Sequence, residues 1–62
     1  SLSAELGSTA STLDGVIERI TTLADGLLGS PDDDIGTALI EIERQLTSAR
    51  RRLDRVRRDL DG

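Results

Sequence analysis

The chain has 62 residues with no Cys, no His and no aromatic residue, and its net charge is −4. That bounds it to one small domain without disulfide or zinc to staple it, without a ring to stack a nucleobase, and without a run of about 18 apolar residues to span a membrane. Its apolar side chains are Leu, Ile, Val and Ala alone, which suit a helical seam better than an aromatic-lined pocket.

The first element is expected at about residues 3–28. Leu2, Leu6, Thr9, Leu13, Val16, Ile20, Leu23 and Leu27 recur in alternating steps of four and three, the heptad spacing of a helix that buries one stripe. Its start is the weakest part. Gly7 to Thr12 is poor in helix formers, and Ser11 with Asp14 has capping-box spacing, so a start near residue 12 competes with one near residue 2. Ser1 to Ala10 lacks the basic start and apolar stretch of a signal peptide, and the first residue is not Met. A fragment of a larger protein is the expectation.

A turn follows at 29–31. Gly29 suits the left-handed conformation that closes a helix, Ser30 can cap the next one, and Pro31 fits its first position. Asp32, Asp33 and Asp34 then place negative charge at the positive end of the helix dipole. Three consecutive acids lack the alternating ligand spacing of a calcium loop, so capping is the reading and no metal site is expected.

The second element is expected at 31–60, with Ile35, Leu39, Ile42, Leu46, Ala49, Leu53, Val56 and Leu60 on the same heptad steps. A connection this short folds the helices back antiparallel. Folding about Pro31 pairs every seam residue with another: Leu27 with Ile35, Leu23 with Leu39, Ile20 with Ile42, and so on to Leu2 with Leu60. The fold class is therefore all-α, an antiparallel two-helix hairpin of coiled-coil type.

One hairpin leaves each seam residue only one neighbouring helix, so a chain of this size is marginal alone. One flank of the expected seam is apolar near the turn, with Ala10, Ile17, Ala24 and Leu28 on the first helix and Ile40 on the second, and those five residues are the candidate interface. Gly36 and the alanines would allow close approach. The simplest closure is a homodimeric four-helix bundle, with another helical protein, or other segments of a parent chain, as different ways to cover the same surface.

From Arg50 to Arg58 the chain places six Arg and one Asp in nine residues. Charge is uneven: residues 1–34 carry seven acids and one Arg, residues 35–62 five acids and seven Arg. Arg50 with Asp54, Asp54 with Arg58, Arg55 with Asp59 and Arg57 with Asp61 are spaced four apart, which favours ion pairing along one helix. The functional alternative is a small regulatory protein whose Arg50, Arg51, Arg55 and Arg58 contact an acidic partner: nucleic acid, a nucleotide second messenger or an acidic protein. Nucleic acid is not expected, because no aromatic, Lys or Asn accompanies the Arg residues for base reading and the chain is acidic overall. The first helix has no Arg and Asp ladder to match the second, which argues against a nucleotide.

No catalytic residue and no cofactor is expected, since a two-helix hairpin offers no dry cleft in which a base could activate a nucleophile. All eight basic residues are Arg, and Ala, Gly and Asp are abundant, a bias associated with GC-rich bacterial genomes; a cytoplasmic, non-catalytic interaction module is the expectation.

Overall fold

The computed structural model describes all residues from Ser1 to Gly62. Helix α1 spans Leu2–Leu27 and helix α2 spans Asp33–Asp61. They lie side by side in a single layer whose Cα extents are 48 × 15 × 10 Å, so the hairpin is one helix thick.

Helix α1 starts at residue 2, which settles the competition over its beginning. Ser1 caps it, its Oγ accepting from the Ala4 N–H at 3.2 Å. The weak segment stays helical for local and tertiary reasons. The Thr9 and Thr12 hydroxyls donate to the carbonyls of Glu5 and Ser8, so neither is left competing for a non-helical backbone. Ala10, at 1% exposure, is buried against α2.

Two consecutive turns reverse the chain. Ser30 N–H donates to the Leu27 carbonyl at 3.0 Å, with Leu28 extended and Gly29 at φ 79, the type II pattern that needs a glycine at its third residue. Asp33 N–H then donates to the Ser30 carbonyl at 3.1 Å, with Pro31 at the second turn position. The expected start of the second helix is corrected by two residues. Pro31 belongs to the turn, and the N-cap is Asp32, whose side chain makes no capping bond. Ser30 works inside the turn instead: its Oγ donates to the Leu27 carbonyl at 2.5 Å and accepts from the Asp32 N–H. The Asp33 carboxylate reaches back to the Gly29 N–H at 2.7 Å and so ties the helix start to the turn.

The expected rotation of the helices about their own axes is also corrected. Leu6, Leu13, Ile20, Leu27, Leu39, Leu46 and Leu53 lie half-buried between the helices, as the heptad reading placed them. The other seam members, Leu2, Thr9, Val16, Leu23, Ile35, Ile42, Ala49, Val56 and Leu60, are exposed. Their inner places are taken by Ala10, Ile17 and Ala24 on α1, and by Gly36, Glu43, Arg50 and Arg57 on α2. Small side chains explain the roll. Gly36 packs so tightly that a Cβ there would sit 3.2 Å from both the Ala24 carbonyl oxygen and the Leu27 Cβ. The register moves with it: Ser3 meets Asp61, Gly7 meets Arg57 and Asp14 meets Arg50, about two residues further along α2 than the seam-on-seam pairing required.

Candidate functional site

The roll decides which surface is left uncovered. In each helix an outward apolar residue follows an inner one by three positions: Val16 after Leu13, Leu23 after Ile20, Ile42 after Leu39, Val56 after Leu53. Three residues are about 60° short of a full turn. Because the helices run antiparallel, equal rotations along each chain point both rows to the same side. Leu2, Val16, Leu23, Ile35, Ile42 and Val56 therefore form one apolar face, each 42–57% exposed. Thr9 is its polar member on α1, and its hydroxyl is already satisfied by the Glu5 carbonyl at 2.8 Å. The residue just after each inner one points to the reverse side, and those residues are mostly polar: Asp14, Thr21, Thr47 and Asp54, with Leu28 and Ile40 near the turn.

The five residues expected as an interface thus divide. Ala10 and Ala24 are inside the hairpin at 1% exposure and serve the approach of α1 to α2, not of a second molecule. Ile17 is half-buried in the same contact. Leu28 and Ile40 remain on the surface, 43% and 37% exposed, on the side opposite the apolar face. Val16, Leu23, Ile35 and Ile42, seam residues by their heptad spacing, are on the surface instead. The signal that could have moved them outward was the row of small residues one stripe over.

The arginines divide as well. Arg50 is drawn into the hairpin: its guanidinium donates to Asp14 at 2.8 and 3.2 Å and to Asp54, with its side chain only 20% exposed. There it ties the two helices together. Arg57 lies over Gly7, with an amine 3.5 Å from Asp54 and its Nε buried without a partner. Arg51, Arg55 and Arg58 are exposed and make no ion pair, so the expected pairs with Asp54 and Asp59 do not form there. Spaced four and three apart, these three share one stripe of α2.

The Arg50 cluster gives the fold a pH dependence. The hydrogen bond from Arg50 holds the Asp54 carboxyl below the usual carboxylate range; partial burial works against this, and the nearby charges of Arg50, Arg57 and Arg58 reinforce it. Asp14 and Asp54 in turn push the Arg50 guanidinium above its already high value. A carboxyl held low in the folded state binds fewer protons than in the unfolded one. Its contribution is therefore complete above the unfolded value, near pH 4, and is lost as pH falls further. The melting temperature at fixed protein concentration should be flat from about pH 7 to 5 and fall below about pH 4. In Arg50→Gln that acid limb should be shallower, as followed by helical circular dichroism.

No group of three acidic residues is placed to hold a metal ion, and no helix is long and apolar enough to cross a membrane. Comparison with protein-family models, curated proteins and solved structures finds no match for the chain.

Proposed function

We propose that this hairpin is a non-catalytic self-association module, two copies of which close a four-helix bundle with the apolar face inside. The carrying observation is an imbalance. Six large aliphatic side chains lie exposed on one face, while no large side chain anywhere is fully buried. A helical layer with one greasy side is half of a bundle.

Area supports the same reading. A folded monomer of 6.7 kDa ordinarily exposes about 3,900 Å². The hairpin exposes 4498 Å². The excess of roughly 600 Å² is near the ~800 Å² that each partner covers in a standard interface. Sedimentation equilibrium of the chain should return twice its 6.7 kDa mass at micromolar concentration. A well-folded monomer at every concentration would overturn the proposal.

The acidic-partner reading has less behind it. Folding removes Arg50 from its candidate contacts and leaves Arg51, Arg55 and Arg58, on an acidic chain. Salt separates the two: an apolar interface persists at about 0.5 M salt, whereas docking of phosphate on three arginines does not.

A further inference from the structure

The apolar face fits a second copy in either direction. With both turns at one end, Leu23 lies over Ile42 of the second copy. With turns at opposite ends, Ile42 lies over Val56 of the second copy and Val16 over its own symmetry mate. Hydrophobic contact alone does not choose between them, because it is non-directional.

Charge does choose. The hairpin is strongly polarised along its 48 Å length. The half that holds the turn, residues 17–44, carries seven acids and two Arg, a net −5. The open half, residues 1–16 and 45–62, carries five acids and six Arg, a net +1. Facing helices in a bundle lie about 8–10 Å apart, close to the Debye length of ~8 Å at physiological salt, so charges across the interface are felt. Turns at the same end would set −5 beside −5. Turns at opposite ends set each acidic half beside an open half that carries the Arg run.

Resting on self-association as the function, we infer that the partner is a second copy packed in the opposite direction, its acidic turn lying over the arginine-rich open end. The twofold axis crosses the hairpin near the level of Val16 and Ala49, where side chains are small enough to meet their own copies. This gives the unpaired arginines a role: they set direction, while the aliphatic face supplies affinity.

The chain has no Cys, so single spin labels are clean probes. Asp32 is exposed at the turn and its side chain makes no capping bond. Labels at Asp32→Cys should lie roughly one hairpin length, 48 Å, apart in the dimer by pulsed electron resonance. A mixture of copies labelled at Asp32→Cys and at Gly62→Cys should add a separation below about 25 Å, the width of a four-helix bundle of ~10 Å helices. A short separation between two Asp32→Cys labels would overturn the direction and leave self-association standing. A monomer by sedimentation would remove self-association itself, and with it any direction.

Discussion

The Ile42→Glu chain should sediment as a monomer at concentrations where the parent chain is dimeric, and Leu23→Glu should do the same. Both residues are on the apolar face and close to half exposed in the single hairpin, so little of the α1–α2 contact depends on them. Burying such a side chain completely is worth about 1.5–3 kcal/mol; about half of it remains to be gained in the dimer, and a twofold interface uses every position twice, so the loss is roughly 1.5–3 kcal/mol per dimer, or about one to two powers of ten in Kd. Placing a carboxylate inside the bundle adds to this. Ile40→Glu is the control. Ile40 is nearly as exposed, but it lies on the reverse side, and the substitution should leave the dimer intact. If Ile40→Glu dissociates the dimer and Ile42→Glu does not, the face has been placed on the wrong side of the hairpin. Helix content should fall with dissociation, because a partner that binds only the folded hairpin also stabilises it.

Two helices and a reversal near Pro31 were legible because their signals are local. Heptad steps fix a period, and Gly29 with Pro31 fixes a turn. The phase of the helices was not legible. On each helix more than one adjacent row can go inward, and heptad spacing does not rank them. On α1 the row of Ala10, Ile17 and Ala24 competes with the row of Val16 and Leu23. The decision rests on pairwise facts across the hairpin: how closely Gly36 approaches the Ala24 carbonyl, and whether Arg50 finds Asp14 as well as Asp54. Arg50 with Asp54 could be read from spacing four along one helix, but Asp14, thirty-six positions away, could not. Two of the five candidate interface residues, Ala10 and Ala24, are consequently inside the hairpin. The inference that one side of a small hairpin stays greasy needed only the count of aliphatic residues and the chain length.

Gly36 holds that arrangement in place, and a paired substitution tests it. Gly36→Val should lower the melting temperature, while Gly15→Ala should raise it. Both glycines are inside helices, where replacing Gly ordinarily stabilises by up to about 1 kcal/mol. Around Gly15 a new Cβ meets nothing within 4 Å, so Gly15→Ala should deliver that gain, about 4–8 °C for a domain this small. At Gly36 the Cβ would meet a backbone oxygen and a Cβ at 3.2 Å, neither of which can swing aside. The branched methyls of Val add bulk to the same gap, and overpacking of this kind costs about 1–3 kcal/mol, more than the modest propensity gain from Gly to Val. The net effect should be a drop of several degrees to about 15 °C at fixed concentration. The wedge would also push α2 from α1 at the turn end and spread the rows of Leu23 and Ile35, so the dimer should weaken although no residue of the apolar face has changed. A rise in melting temperature for Gly36→Val comparable to that for Gly15→Ala would mean that the helices do not approach closely there, and that Ala10, Ala24 and Gly36 are not what turns the apolar face outward.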